Sequence, residues 1–474
     1  MRPPAVLRQG AGLRETACGG RSQRRHSTRS NPGKDDTDER FDGLTGGPGQ
    51  TSLGKRPEPA SRYRTVMTGS RTEKGKSMIK PLHSLIDKIY RMANLVKASA
   101  KVCANKGAAG IDKVTVEAWR TKETANLRQL HGELYADTYR SQPVRRVYIP
   151  KPGTKKQRPL GIPALKDRVC QQATLQALQP TFEKLFFEGS HGFRPGKSTH
   201  TAKEAILEYK KAGYRHVVDL DISNFFNEVD HTILMKLVRE VVKDRRALRL
   251  IRGWLTAGVM EEGNVRYETS GTPQGGVISP LLSNIYLTPF DRGLQAAGYV
   301  HVRYADDVLI LCRTREEAEA ALQAADELLT RMKLRLSPEK TIISSFQEGF
   351  DFLGFHFGKR HVGVGKKSLK SVYAKVREVT RRIQGDIPVG KVIAELNPKI
   401  EGWANYHRHG NNITLFRNLD KWVRNRIRAY IRRRWRDRGR WKIHSAEELD
   451  RMGLARMERK IPRHKQLKLF EFPC

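Results

Sequence analysis

Two adjacent carboxylates interrupt the run Val302-Arg303-Tyr304-Ala305-Asp306-Asp307-Val308-Leu309-Ile310-Leu311, which otherwise reads as two buried strands joined by a turn. Buried without partners, such charges are costly. A hard divalent cation such as Mg2+ removes the cost, since it takes carboxylate oxygens and keeps positions free for phosphate oxygens. An isolated Asp-Asp pair is more often an acidic turn in solvent, so context decides. That context is Asp221, at the end of another apolar strand in Asp219-Leu220-Asp221-Ile222-Ser223-Asn224-Phe225-Phe226. Two-metal nucleotidyl transfer clamps the attacking and leaving oxygens between ions ~3.5–4 Å apart, so carboxylates from separate strands must converge. Asp221 and Asp306 supply the convergence, with Asp307 as a further ligand or electrostatic support. Asp219 is the alternative ligand; Asp221 is preferred because its spacing to the Phe pair suits a pocket with an aromatic ring beneath a sugar.

The Tyr304-Ala305-Asp306-Asp307 box, together with Thr269-Ser270-Gly271-Thr272-Pro273-Gln274-Gly275-Gly276-Val277-Ile278-Ser279-Pro280-Leu281-Leu282-Ser283-Asn284, resembles a group II intron-encoded reverse transcriptase/maturase of bacterial type. The resemblance runs over roughly residues 95 to 445. It implies an RNA-directed DNA polymerase using two Mg2+ ions and deoxynucleoside triphosphates. Gln274, Gly275 and Gly276 fall in its nucleotide pocket, where a missing Cβ lets backbone approach a nucleotide closely. Arg158, in Gln157-Arg158-Pro159-Leu160-Gly161, and Lys151 resemble the residues that hold the incoming triphosphate. His191-Gly192-Phe193-Arg194-Pro195-Gly196-Lys197-Ser198 resembles a motif that shapes the template channel. Phe225 and Phe226 are candidates for the gate against a ribose 2′-hydroxyl, one gate and one core, with Phe226 favoured by its register from Asp221. Lys340 resembles a lysine that helps pyrophosphate depart. Phe352-Leu353-Gly354-Phe355 resembles the primer-grip turn.

Gly402-Trp403-Ala404-Asn405-Tyr406-His407-Arg408-His409 resembles the maturase domain X that overlaps a polymerase thumb. In the helix that follows, Leu419, Trp422, Val423, Ile427, Tyr430, Ile431 and Trp435 share one side, with Lys421, Arg424, Arg428, Arg432 and Arg436 spread over the other. So dense a basic face with interleaved aromatics suits structured RNA, read through phosphate and stacking contacts. The resemblance implies the host intron's own RNA, beside an RNA template with DNA primer and a target DNA.

The elements that must position these groups are those of an α+β chain: a right-hand polymerase with fingers, a palm built on an antiparallel sheet, and a helical thumb joined to domain X. Residues 1–77, rich in Gly, Pro, Ser and charge, read as a disordered basic tail. Residues 78–200 are expected to form an N-terminal extension and the fingers, including a basic hairpin between Val144 and Ile162; residues 201–365 the palm; 366–442 three helices divided near Pro388 and Gly410; and 443–474 a basic C-terminal tail.

The totals fit a nucleic-acid enzyme. Lys+Arg number 89 against 50 Asp+Glu, a net charge of +39 over 474 residues that attracts polyanions. The five cysteines show no zinc or disulfide spacing, which implies a reducing compartment. No apolar run nears the ~18 residues of a membrane span, so a soluble, bacterial cytoplasmic protein with no membrane partner is expected. The Arg- and Ser-rich start also has the composition of an organellar transit peptide, but without an amphipathic pattern. A homodimer is compatible with the sequence. Many members of the family continue into a DNA-binding region and an H-N-H endonuclease; this chain ends at Cys474 without them, so second-strand cleavage is not expected and the primer would come from elsewhere. Two competing readings are an RNA-binding splicing cofactor with a vestigial polymerase, and a domesticated or defence-associated reverse transcriptase.

Overall fold

The computed structural model describes residues 81–150, 157–261, 264–267, 270–272, 275–381, 387–435 and 444–462. The expected tail over residues 1–77 lies outside them. Among the described residues no helix is long and apolar enough to cross a membrane, and Cys103, Cys170 and Cys312 are buried free thiols.

The chain enters through four helices, α1 (Ile86–Tyr90), α2 (Met92–Ala104), α3 (Val116–Thr121) and α4 (Glu123–Tyr135), and then the hairpin β1 (Val144–Pro150) and β2 (Gln157–Ile162). Helices α5 (Leu165–Phe182) and α6 (Thr199–Lys211) follow. Ser198 starts α6 with a reciprocal cap, its hydroxyl accepting from the Thr201 amide while the Thr201 side chain accepts from the Ser198 amide. The boundary expected between residues 200 and 201 therefore falls inside a continuous helix and is corrected.

Strand β3 (His216–Asp221) leads through the single turn α7 (Phe225–Glu228) to α8 (His231–Val241) and α9 (Arg245–Leu255). Asp244 caps α9 by accepting from Arg246 and Ala247 amides, and its second oxygen accepts from Leu85 and Ile86 amides, both at 2.8 Å. One side chain thus ties the first helix to the ninth. Strands β4 (Val259–Glu261) and β5 (Asn264–Arg266) extend the basic hairpin into a sheet of order β2-β1-β4-β5, with β1 and β4 parallel and the other pairs antiparallel. A segment expected to belong to the palm therefore pairs with the hairpin assigned to the fingers, because β4 finds its backbone partner at Val144.

Helix α10 (Ser279–Ala296) precedes the hairpin β6 (Val300–Tyr304) and β7 (Asp307–Cys312), then α11 (Arg315–Arg331) and β8 (Ile342–Ser345). These strands form an antiparallel sheet of order β6-β7-β3-β8. Strand side chains alternate between faces, so Val218, Leu220, Val308, Ile310 and Cys312 join one core with the entry helices, α10 and α11, while Val217, Leu309 and Leu311 join a second core. That second core includes the short antiparallel sheet β9 (Phe350–Phe352), β10 (Phe355–Phe357) and β11 (Val362–Val364).

Helices α12 (Lys366–Val379), α13 (Val389–His407) and α14 (Ile413–Trp435) match the three-helix expectation. The C-terminal part was expected to be a tail; instead α15 (Ala446–Arg451) and a 3-10 turn (Glu458–Lys460) seat Leu449, Leu454, Met457 and Ile461 in the core of α12–α14. Four buried apolar side chains within thirteen residues supply the surface that orders this segment.

Candidate active site

The carboxylates come together where the β6-β7-β3-β8 sheet runs out. On β3, Val217, Asp219 and Asp221 share a face, and their partners on β7 are Leu311, Leu309 and Asp307. The face is apolar at one end and acidic at the other. Directly paired residues of an antiparallel ladder project to the same side, so Asp221 and Asp307 face the same space, and Asp219 lies one pleat behind. Asp306 occupies the second position of the two-residue turn between Tyr304 and Asp307, after Ala305, whose φ is +60°.

An alanine in the left-handed region needs support, and three elements provide it. A Cβ on Gly192 would stand 2.2 Å from the Ala305 nitrogen, so glycine there lets the 189–194 segment press against the turn. Arg303, fully buried, donates from Nη1 to the Ala305 carbonyl and to Asn284 Oδ1, each at 3.0 Å. Its fork also grips Asp291, Nε to Oδ1 at 2.8 Å and Nη2 to Oδ2 at 2.5 Å. Asn284 in turn donates to the Gly192 carbonyl at 3.0 Å. The Asp291 carboxyl is held below its usual range: burial raises it, and the Arg303 charge and hydrogen bonds overcome that burial. Sequence reading missed this cradle. Its only local signal is an arginine inside an apolar strand, and its partners lie on another helix.

The electrostatics are those of crowded anions. Desolvation against the sheet, followed by the charges of Asp306 and Asp221, pushes Asp307 up to about 6. Burial, followed by Asp307 and Asp221, pushes Asp219 up to about 7. Asp306 is raised by burial and by Asp221, with Arg158 and Lys340 opposing. Lys340 Nζ stands 2.6 Å from Asp221 Oδ2, placing an internal cation on the acidic cluster. Among the described residues no three ligand-type side chains already form a closed metal cage. The hard oxygen donors, their mutual repulsion and the lysine drawn onto Asp221 nevertheless fit a divalent cation.

A cleft of about 590 Å3 joins this acidic end to the expected primer-grip turn: Asp219, Asp221, Asp307 and Lys340 line it with Phe352, Leu353, Gly354 and Lys367. Phe352 and Phe355 end β9 and begin β10 and are buried, leaving Leu353 and Gly354 as the turn. Phe225 is buried while Phe226 is only partly so. Arg158 is exposed on β2. Gly275, at φ +118°, has its missing Cβ position 2.5 Å from the Gly161 carbonyl. The close approach found there is to the β2 backbone, where a nucleotide was expected. Lys151, Gln274 and Arg436 lie outside the described residues. The Gly192 motif, expected to shape a channel, braces the Ala305 turn, with Arg194 buried against Glu183 and the Phe187 and Ser190 carbonyls.

The basic face of α14 requires a correction. Arg424 is buried, donating to Asp450 on α15 at 2.8 Å, because the C-terminal segment covers that side of the helix. Arg428 is partly covered and donates to the His444 carbonyl at 2.7 Å. Arg432 is exposed.

Acids from two antiparallel strands, opening on a cleft that ends at a glycine turn, form the donor set of a metal-dependent nucleotidyl-transfer site. Comparison with known proteins makes the class particular. Residues 149–357 match the reverse transcriptase (RNA-dependent DNA polymerase) family and residues 369–446 the group II intron maturase-specific domain. The chain is 36% identical over 318 residues to protein YkfC of Escherichia coli, covering 58% of this chain and 83% of YkfC. It is 30% identical over 380 residues to the group II intron-encoded protein LtrA of Lactococcus lactis, covering 64% of this chain and 62% of LtrA. A 91 kDa protein in the cob intron of Schizosaccharomyces pombe is 37% identical over 162 residues, which are 34% of this chain and 20% of that protein. The chain belongs to the group II intron-encoded reverse transcriptase/maturase family: it is an RNA-directed DNA polymerase carrying an intron-maturase segment.

Proposed function

We propose that Asp221, Asp306 and Asp307 hold two Mg2+ ions for extension of a DNA primer on an RNA template, and that the same protein assists splicing and mobility of its host intron. The observation that carries the first part is the pairing of Asp221 with Asp307, with Asp306 next to it in the turn. Bound there, Mg2+ would polarise the α-phosphate and lower the pKa of the primer 3′-hydroxyl.

The protein's own groups divide the remaining tasks. Arg158, near enough to Asp306 to oppose its raised pKa, is placed to take triphosphate oxygens, with Lys151 assigned the same task. Lys340, whose ammonium lies 2.6 Å from Asp221, is placed to meet the departing pyrophosphate. Phe226 lies beneath the incoming sugar and excludes a 2′-hydroxyl, while Gln274 and Gly276 contribute the nucleotide floor and Gly275 seats that segment against the β2 backbone. Phe352, Leu353, Gly354 and Phe355 hold the primer end. In this reading the β1–β2 hairpin belongs to the fingers, the β6-β7-β3-β8 sheet is the palm, and α12–α14 form the thumb and domain X. Exposed α14 residues such as Arg432 meet intron RNA.

Primer extension by purified Asp306→Ala protein is the direct test. Synthesis should fall by on the order of 10²–10³-fold or more, the scale for removing one preorganised electrostatic group. Undiminished cDNA synthesis would sink the assignment.

A further inference from the structure

The turn Leu353-Gly354 joins β9 to β10 with both residues at positive φ, +48° and +79°. A two-residue hairpin of this kind favours Asn-Gly, because asparagine tolerates the left-handed region and leucine does not. Local sequence therefore does not select this conformation, and an external group must hold it.

That group comes from the maturase segment. Tyr406, in the last turn of α13, donates its hydroxyl to the Leu353 carbonyl at 2.7 Å. Its ring stacks on Phe355 with centroids 5.1 Å apart and planes 14° apart. The end of α13 is itself locked: His407 Nε2 lies 2.9 Å from Ser368 Oγ on α12, and Trp403 Nε1 donates to that oxygen at 3.0 Å. Gly365, before α12, donates its amide to the Gly354 carbonyl at 2.9 Å. Both carbonyls of the turn are thus fastened, that of Leu353 by α13 and that of Gly354 by the residue that precedes α12. Tyr406 and His407 belong to the stretch that resembles the maturase domain X, and His407 is buried.

We infer that Tyr406 is a positioning residue for the polymerase, whose hydroxyl holds the Leu353-Gly354 turn in the shape that receives the primer end. The inference rests on the primer-grip reading of residues 352–355. It gives the Gly402–His409 stretch a task in DNA synthesis apart from any contact with intron RNA.

The test uses the full chain, an RNA template with a DNA primer carrying 2-aminopurine at its 3′ end, and a structured group II intron transcript. Tyr406→Phe keeps the stacking and removes one hydrogen bond, so KM for the duplex should rise about three- to tenfold. The rate at saturating duplex should stay within about twofold, because the reacting groups are untouched. The 2-aminopurine signal should report a less ordered primer end, with Tm and intron-transcript affinity unchanged. Tyr406→Leu, which removes the ring as well as the hydroxyl, should raise KM further while the rate at saturating duplex again holds; a wild-type KM in Tyr406→Leu overturns the inference. A wild-type KM in Tyr406→Phe, beside a raised one in Gly354→Val, defeats the clamp and leaves the primer grip standing. A wild-type KM in both defeats the primer-grip reading as well. A parallel loss of transcript affinity in Tyr406→Phe would make this motif an RNA contact and overturn the inference.

Discussion

Asp221 and Asp307 are direct partners across two antiparallel strands, 86 positions apart by their numbers and paired at the acidic end of an otherwise apolar sheet face. The arrangement concentrates negative charge at one edge of a cleft and leaves the opposite strand ends to the core. The concentrated negative charge also accounts for Lys340, whose ammonium pairs with Asp221 at 2.6 Å.

The polymerase and maturase activities should separate. Asp306→Ala is expected to abolish primer extension while splicing of a flanking intron in a reconstituted assay stays near wild type. A matched loss of both would mean that the carboxylate region also shapes the RNA-binding surface.

Crowded carboxylates make a pH prediction. Asp219 titrates at about 7 in the folded protein against a reference of 3.8. Between those values the folded state keeps a proton that the unfolded state releases, so stability falls as pH rises through this window and the full penalty is present above about 7. Asp219→Asn removes the penalty. Its Tm should equal wild type near pH 4 and exceed it by about 2–4 °C at pH 8, and Mg2+ should narrow the gap. A gap that widens toward acid would reject the account.

The arginine cradle should be intolerant of half-measures. Asp291→Asn leaves Arg303 charged and buried without its anion, and the expected cost is about 3–5 kcal/mol. Chemical denaturation checks this, and a stability within 1 kcal/mol of wild type would show that Arg303 finds another partner.

Adjacent phenylalanines should behave differently. Phe225→Ala empties a buried site and should cost about 3–5 kcal/mol. Phe226→Ala should cost less and should raise incorporation of ribonucleotides relative to deoxynucleotides, measured by competing the two triphosphates in primer extension. Unchanged discrimination in Phe226→Ala removes it as the gate.

Two arginines of α14 give a similar contrast. Arg432→Gln should weaken intron-transcript binding and reduce the magnitude of its log–log salt slope by about 1. Arg424→Gln should lower Tm by uncoupling Asp450 and leave the salt slope unchanged. Equal slopes for both variants and wild type would exclude α14 as a phosphate-binding face.

The sequence by itself determined what depends on neighbours along the chain. Apolar runs interrupted by acids marked the strands that carry Asp221 and Asp307, turn chemistry marked the β1–β2 hairpin, and helical spacing with breaks near Pro388 and Gly410 marked α12–α14. The Tyr304–Asp307 box and the Gly275-Gly276 block were legible because their chemistry is written in consecutive residues. Tertiary structure alone decided which partner each long side chain meets. Periodicity placed Arg424 on a polar face, but it cannot reveal that α15 packs there and buries that arginine against Asp450. Arg303 finds Asp291 across a strand–helix contact, and Tyr406 finds Leu353 across 53 residues. Such pairings depend on where separate elements dock, so their energies are set by desolvation and geometry that no local pattern of residues encodes.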